Sequence, residues 1–259
     1  MTLLQVKRKI ASVWPEKFKN RKIILLYHSI GNTSWGMPTQ CFYDQISWLT
    51  DHYEVLSLTD LLKSKSSNLI QVALTFDDGY QTLYDQVAPL CATKKIRPMV
   101  YLNTGWIGED EHHRKASVAE LGHYPKEWFL TWQEVRDLKN RGWEVGSHGV
   151  NHYNFARMDR DVTLQELTLS KQHIETHLNT NCLHFSYPWG RYSARVKEVV
   201  KTVGYHYAVS VVHKNIGRYS DLFALPRMNI ANEYSLDDFK QIVQGKWDYL
   251  GLIHKLKGL

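Results

Sequence analysis

A continuous apolar run that ends in two adjacent carboxylates restricts the fold of this chain more than any other feature. Residues Val72–Phe76 read VALTF, which is typical of a strand that is buried on both faces. Asp77 and Asp78 follow directly, and Gly79 comes next. Neighbouring carboxylates at a strand end repel each other, and a cation commonly offsets this repulsion. The run therefore predicts a buried strand with a metal or catalytic site at its carboxyl end.

Two histidines follow a second short apolar run. The segment that begins at Gly146 reads GSHGVNH, so His148 and His152 lie four positions apart among glycines that permit a tight turn. One Asp with two His side chains leaves coordination positions open for water and substrate, as a catalytic metal site requires. The other Asp is then free to act as a base. The alternatives are aspartates that cap the next helix and histidines in a solvated loop.

Apolar runs alternate with helical patterns along the chain, which indicates parallel βαβ units. The predicted strands are Ile23–Tyr27, Val72–Phe76, Pro98–Asn103, Trp143–Val145, Leu183–Tyr187, Tyr205–Val212 and Leu222–Leu225. The predicted helices are Gln40–Asp51, Thr59–Lys65, Tyr80–Thr93, Thr131–Asn140, Asp161–Leu178, Ser193–Val203 and Ser235–Val243. Between them, Gly105–Lys126 is predicted to be a long loop. About seven strand–helix units fit an incomplete barrel, whose active site lies at the carboxyl ends of the strands.

Size and composition narrow the class of protein. The 259 residues suffice for one large α/β domain, and a hydrophobic content of 43% indicates a globular chain. Cys41, Cys91 and Cys182 are scattered and form no CxxC pair, so the pattern favours a reducing compartment. The formal charge of +6 favours an acidic partner or surface, but the dispersed basic residues predict no nucleic-acid binding.

The two ends of the chain are basic and amphipathic. Residues 1–20 and 246–259 are expected to flank one domain at 21–245. The apolar positions are Leu3, Val6, Ile10 and Val13 opposite Lys7, Arg8 and Lys9, and then Tyr249, Leu252, Ile253 and Leu256 beside Lys255 and Lys257. These segments either pack on the outside of the barrel or contact an anionic membrane surface peripherally. Without a signal-peptide pattern, we expect a cytoplasmic protein, at most bound to the inner face of a bacterial inner membrane.

Three motifs resemble those of the NodB-type polysaccharide deacetylases, carbohydrate esterase family 4. They are Thr75–Tyr80 (TFDDGY), Ser147–His152 (SHGVNH) and Ser186–Tyr192 (SYPWGRY). A fourth, Leu25–Ile30 (LLYHSI), is similar to the subgroup that deacetylates biofilm poly-N-acetylglucosamine, where the histidine motif is moved to the first strand. The likeness spans roughly residues 22–230. It implies a distorted, incomplete (β/α)7 barrel with parallel strands.

The resemblance also implies roles for the motif residues. Asp78, His148 and His152 would hold one divalent metal ion, for which zinc is the first choice and cobalt, nickel or iron are compatible. Asp77 would be the general base. His28 would protonate the leaving amine, and its alternative is a histidine of the core.

The third motif departs from the family pattern. Most members carry an arginine that orients the catalytic aspartate, whereas this chain has Ser186 at that position. Arg227, at the end of the last predicted strand, is the candidate substitute, and its alternative is an ordinary surface arginine. The backbone N–H of Trp189 occupies the position of the oxyanion donor. The Trp189 indole either walls the acetyl pocket or packs in the core.

These features together predict a metal-dependent N-deacetylase that releases acetate from an N-acetylated amino sugar. The substrate would be a glycan or a glycan precursor, with lipid-linked precursors included. One alternative is an O-deacetylase that uses the same site, and another is a catalytically inactive carbohydrate-binding or scaffold domain. Trp35 and Trp106 are the candidate substrate contacts, because both lie in glycine-bearing segments after strands.

Overall fold

A curled sheet of parallel strands forms the centre of the molecule. The computed structural model describes residues 1–17, 19–31, 33, 35–65, 67–116 and 127–256. The strands are β1 (Lys22–Tyr27), β2 (Glu54–Val55), β3 (Gln71–Phe76), β4 (Met99–Leu102), β5 (Glu144–Ser147), β6 (His184–Ser186), β7 (Tyr207–Val209) and β8 (Met228–Asn229). Seven of them follow the order β7-β6-β5-β4-β3-β1-β8, and β2 pairs with the first residues of β3. The predicted distorted, incomplete (β/α)7 barrel is confirmed.

Helices connect the strands and cover the outside of the sheet. They are α1 (Leu3–Val13), α2 (Thr39–His52), α3 (Leu58–Lys63), α4 (Ala88–Thr93), α5 (Trp132–Asn140), α6 (Arg160–Leu178), α7 (Ala194–Val203), α8 (Leu236–Val243) and α9 (Tyr249–Leu256). Capping residues start several of them. Thr131 and Glu134 form the predicted capping box of α5, in which each side chain accepts the other residue's backbone N–H.

The chain between β3 and α4 differs from its predicted continuous helix. A π-helical turn spans Leu83–Val87 and leads into α4, and Thr82 is the residue that precedes the turn. Neither Asp77 nor Asp78 therefore caps this helix, and the capping alternative is wrong. Both carboxylates are instead buried at the carboxyl end of β3, with 3% and 2% of their surface exposed.

The last strand lies further along the chain than predicted. The apolar run Leu222–Leu225 forms no strand of the sheet, although Leu225 makes an isolated parallel bridge to Val209. Pro226 has no backbone N–H and interrupts the run. The strand β8 begins at Met228 and pairs with Leu25 and Leu26 of β1. The predicted strand over Tyr205–Val212 is likewise shorter, because only Tyr207–Val209 pairs with β6.

Both terminal helices pack on the outside of the barrel. The Arg8 guanidinium donates to both oxygens of Asp238 in α8, and Lys7 Nζ lies 3.0 Å from the Tyr234 hydroxyl. The Tyr249 hydroxyl of α9 donates to the Lys7 carbonyl at 2.8 Å. Two of the three adjacent cations of α1 are thus engaged within the fold, so one part of this helix packs on the barrel, whereas Leu3 and Val13 stay exposed.

Some of the sequence predictions fall on parts of the chain that lie outside the described residues. One part is residues 117–126 of the predicted long loop. At the C terminus, Lys257 and the side chains of Lys255 and Leu256 also lie outside the described residues. The described start of the loop contains short 3-10 turns at Thr104–Trp106 and Glu111–His113. Of the helices that are described, none has the length and apolar character that crossing a bilayer demands.

Candidate metal centre

The candidate site lies at the carboxyl ends of β3 and β5, where the parallel strands bring their following loops together. Asp78 comes two residues after β3, and His148 follows β5 directly. Asp78 and His152 both have a left-handed backbone, with φ values of 74° and 55°. Asp tolerates this conformation better than most residues, whereas His152 carries a strain of about 1–3 kcal/mol that the surrounding turn must impose. Such strain is typical of functional sites.

The predicted ligand set is brought together. The Asp78 Oδ1 atom lies 3.7 Å from His148 Nε2 and 3.7 Å from His152 Nε2. All three ligand atoms lie within 4.8 Å of one another, and all three side chains are buried. Metal bonds of about 2.0–2.2 Å at tetrahedral angles separate two ligands by about 3.4 Å. The three side chains therefore fit one divalent ion, and the alternative of histidines in a solvated loop is wrong.

Hydrogen bonds orient the ligands. The Nδ1 atom of His148 lies 2.7 Å from the Ser186 carbonyl oxygen, which can only accept, so Nδ1 carries the proton. The Nε2 lone pair is then available toward Asp78. The Asn103 amide donates to Asp78 Oδ1 at 3.0 Å. Asn103 was not predicted, although its place at the end of the predicted strand Pro98–Asn103 was a usable signal. Such outer hydrogen bonds commonly fix ligand orientation at metal sites.

Asp77 points to a different partner. The Arg227 guanidinium donates to both carboxylate oxygens of Asp77, at 2.7 Å each, and Arg227 is fully buried. The same guanidinium donates to the Ser186 hydroxyl at 2.9 Å, and Ser186 donates to Asp77 at 3.1 Å. The surface alternative for Arg227 is therefore wrong. Its predicted place at the end of the last strand is also wrong, because Arg227 immediately precedes β8.

The charge of Arg227 keeps Asp77 anionic. Burial alone would raise the pKa of the Asp77 carboxyl, because a charged group loses hydration. The adjacent guanidinium opposes this effect, with smaller contributions from His148 and His28, and the net pKa lies below its usual value. Asp77 is thus an ionised carboxylate beside the ligand set, with Oδ2 3.7 Å from His148 Nε2.

His28 follows β1 and lies beside this carboxylate. It is half-buried, and its charge is among those that lower the pKa of Asp77. It also lines a small open pocket together with Trp35 and Asn232. Because one side of His28 faces this pocket, the alternative of a fully enclosed core histidine is wrong.

The third motif places the Trp189 ring against His152. Trp189 lies in the 3-10 turn Pro188–Gly190, and 51% of the residue's surface is exposed. Its ring centroid lies 4.3 Å from that of His152, in an edge-to-face arrangement. The core-packing alternative for Trp189 is therefore wrong. Trp106, a predicted substrate contact, is instead 3% exposed and packs between Phe129 and His152.

Known proteins resemble this chain in sequence and in fold. A model of the family described as polysaccharide deacetylase matches residues 65–208. The poly-beta-1,6-N-acetyl-D-glucosamine N-deacetylase of Staphylococcus aureus is 22% identical over 244 residues, which cover 89% of this chain and 78% of that protein.

Solved structures of similar shape include the deacetylase PplD of Streptococcus pyogenes in complex with acetate. Its TM-score is 0.73 at 22% identity, over 87% of this chain and 99% of that one. IcaB from Ammonifex degensii has a TM-score of 0.74 at 15% identity, over 90% of this chain and 100% of that one. At these identities the two structures show the fold alone. The family match spans more than half of the chain and confirms the resemblance of the motifs. The chain belongs to the polysaccharide deacetylase family.

Proposed function

We propose that this chain is a metal-dependent N-deacetylase that releases acetate from an N-acetylated amino sugar of a glycan. The observation that carries the proposal is the convergence of Asp78, His148 and His152 on one point beside an ionised Asp77. A divalent ion held by these three side chains would act as a Lewis acid that polarises the acetyl carbonyl and makes water a stronger nucleophile.

Asp77 is the proposed general base. Its carboxylate is ionised, lies next to the ligand set and is held in place by Arg227, so it can accept the proton of the attacking water. Arg227 acts as a positioning residue. Its guanidinium occupies one edge of the carboxylate and fixes the direction in which the remaining lone pairs point.

Two further groups complete the proposed mechanism. The backbone N–H of Trp189 would donate to the oxyanion that develops on the acetyl oxygen. The exposed Trp189 indole would wall the acetyl group and exclude water from one side. His28 lies next to Asp77, because the preceding residue Tyr27 accepts the Asp77 backbone N–H, and it would protonate the departing amine, which is a poor leaving group until it gains a proton.

Two alternatives remain testable. An O-deacetylase would use the same residues on an ester. A catalytically inactive binding or scaffold domain would gain nothing from a buried ion pair such as Arg227–Asp77, because burying two charges costs several kcal/mol. Acetate release from matched N-acetyl and O-acetyl sugars distinguishes the three. We expect release from the N-acetyl sugars, and release from O-acetyl sugars alone would contradict the proposal.

We also propose a peripheral contact with anionic membrane, which would suit a lipid-linked glycan precursor. Supporting it, Leu3 and Val13 stay 72% and 82% exposed on α1, and Leu252 is 56% exposed on α9. Apolar side chains beside lysines are typical of interfacial helices. The protein should sediment with vesicles rich in anionic lipid and dissociate in high salt. Replacing Leu3 and Val13 by serine should weaken sedimentation, whereas Leu169→Ser on α6 should not. If the intact protein does not sediment with these vesicles at low salt, the proposed membrane contact is wrong.

A further inference from the structure

A second cavity opens at the amino ends of β1 and β3, whereas the candidate metal centre lies at the carboxyl ends of the strands. Its volume is about 610 Å³, and its lining includes Lys22 and Gln71, which pair at the first position of the two strands. At about 3.3 Å per residue, the six residues of β1 extend over roughly 16 Å. Clefts that bind small molecules usually measure about 300–1,000 Å³. The cavity therefore has the size of a ligand site and is separate from the metal centre.

The charged side chains in the lining of this cavity all carry positive charge. They are Arg21, Lys22, Lys65 and Arg218. Among the residues that the structure describes, no Asp or Glu belongs to this lining. Serine hydroxyls add hydrogen-bond donors and acceptors, at Ser64, Ser67 and Ser220. A concave surface with charge of one sign focuses its field on a ligand of the opposite charge, so the lining favours an anion.

Two carboxylates near the cavity are engaged with partners of their own. Asp248 accepts hydrogen bonds from both terminal nitrogens of Arg21, at 2.7 and 2.9 Å. Glu54 accepts from the Gln71 amide at 2.7 Å and from the Ser67 hydroxyl at 3.2 Å. Asp248 therefore offsets one of the four positive charges, and Glu54 offsets at most one more.

The other three cations have no anionic partner of their own. In the part of the chain that the structure describes, Lys22, Lys65 and Arg218 form no ion pair with a carboxylate. The acidic residue that follows Ser220 in the lining, Asp221, is paired with Lys197 at 2.8 Å. Like charges in one cavity repel one another, and an anion that binds among them relieves this repulsion.

Lys22 is the most firmly held of these cations. The residue is half-buried, and its Nζ atom donates to the Ser64 carbonyl. Its backbone is held on two sides, because it pairs with Gln71 and accepts the Ile216 N–H at 2.7 Å. An ammonium group has three N–H donors, so two of them remain for a ligand. A phosphate group carries a charge of about −1.5 to −2 and three acceptor oxygens, so it supplies both the charge and the acceptors.

We propose that this cavity binds a phosphate-bearing molecule, with half-buried Lys22 at its base and exposed Lys65 and Arg218 at its mouth. A guanidinium donates two parallel hydrogen bonds to a phosphate, and each ammonium adds a compact charge. The volume of about 610 Å³ leaves room for an organic part beside the phosphate. Soluble phosphorylated metabolites and the headgroups of membrane lipids share this chemistry. The inference is independent of the proposed N-deacetylase activity.

Calorimetric titration of the intact protein with inorganic pyrophosphate, at constant ionic strength, tests the proposal. The wild-type protein should bind about one equivalent, and the Lys65→Ala and Arg218→Ala double variant should bind it about tenfold more weakly or worse. Both side chains are exposed, so their replacement should leave the fold intact. The matched control is the Lys9→Ala and Arg136→Ala double variant, which removes the same two residue types at exposed positions outside the cavity and should bind as the wild type does.

Pyrophosphate also binds divalent metals, so the titration is repeated on the His148→Ala and His152→Ala double variant. This variant should bind pyrophosphate as the wild type does, because both replaced ligands lie at the other end of the barrel. No saturable binding by the wild-type protein, or equal affinity in the Lys65→Ala and Arg218→Ala variant, would overturn the proposal. Binding that is lost only in the histidine variant would place pyrophosphate on the metal and would also overturn it.

Glycerol 3-phosphate and dihexanoylphosphatidic acid then identify the source of the phosphate. Comparable binding of the two supports a soluble metabolite, and binding of the lipid that is about tenfold tighter or more supports a lipid headgroup. In either case the Lys65→Ala and Arg218→Ala variant should weaken the binding. If neither compound binds to the wild-type protein, the assignment of a phosphate-bearing ligand is wrong.

Discussion

Arg227 and Asp77 are 150 positions apart in the chain, yet the guanidinium of one donates to both carboxylate oxygens of the other at 2.7 Å. Ser186 bridges the pair, because its hydroxyl donates to Asp77 and accepts from Arg227. The serine at the position of the usual family arginine thus contacts an arginine that lies immediately before β8. A positive charge beside the proposed catalytic carboxylate is thus present, although it comes from a different place in the sequence.

Replacing Arg227 by lysine should lower the rate of acetate release by about 10–100-fold. Lysine keeps the positive charge but cannot donate to both oxygens of Asp77 in a fixed plane. Steady-state kinetics and metal analysis on the same preparations check this prediction. Metal content should stay near the wild-type level, because the Arg227 guanidinium donates to Asp77, Thr75, Ser186 and Ser210, which are not the proposed ligands. A wild-type rate in Arg227→Lys would show that the bidentate geometry is irrelevant to the reaction.

Asp77→Asn should keep the metal but lose about a hundredfold or more in rate, because an amide cannot accept the proton of the attacking water. Asp78→Asn is the matched comparison. The Asp78 carboxylate is a proposed metal ligand, so its replacement should lower metal occupancy. Metal analysis and turnover of both variants separate the two roles. Loss of metal in Asp77→Asn, with retention in Asp78→Asn, would mean that the two roles are exchanged.

His28→Ala should slow amide cleavage much more than cleavage of an activated aryl acetate. The amine of an amide must gain a proton as it leaves, whereas a phenolate with electron-withdrawing groups leaves without one. Parallel assays with an N-acetyl sugar and 4-nitrophenyl acetate measure the difference. Equal losses on the two substrates would assign His28 a structural role only.

Asp248→Asn should lower the free energy of unfolding by about 3 kcal/mol at pH 7, because the nearly buried Arg21 guanidinium would lose its anionic partner. Burial acts to raise the pKa of Asp248, but the hydrogen bonds and charge of Arg21 outweigh it, and the net pKa falls below 3.8. The stabilisation is therefore complete above pH 3.8 and is lost as the pH falls through the lower, folded-state pKa.

Urea unfolding at pH 7 and at pH 3 tests this dependence, with Asp221→Asn as the control. Asp221 pairs with Lys197 near the surface, where such pairs contribute about 0–1 kcal/mol. The difference between wild type and Asp248→Asn should shrink at the lower pH. A difference that stays constant with pH would show that Asp248 contributes through packing rather than through charge.

Much of the candidate metal centre could be predicted from the sequence, because parallel strands bring the residues that follow them to one edge of the sheet. Asp78 follows β3 and His148 follows β5, so their meeting requires only the correct strands. The start of α5 could be predicted for a similar reason. Its capping box depends only on Thr131 and Glu134, which are three residues apart in the chain.

The partner of Asp77 depended on long-range structure. The path of the chain from β7 to β8 decides the direction of the Arg227 side chain. This path could not be predicted, because the apolar run Leu222–Leu225 indicated a strand that the sheet does not contain. The apolar face of α1 shows the same limit. Amphipathicity indicated a face with Leu3 and Val13, but the buried position of the helix is Ala11. A hydrophobic pattern identifies a helix more securely than the face that finds a partner.

The central claim is that Asp78, His148 and His152 hold the divalent ion on which acetate release depends. The most direct measurement is acetate release from an N-acetylglucosamine oligosaccharide by protein stripped with chelator and then titrated with zinc. We predict that release stops on stripping and returns at about one equivalent of zinc per chain, and that the His148→Ala and His152→Ala double variant recovers nothing at that equivalence. Full activity of the metal-free wild-type protein would contradict the account.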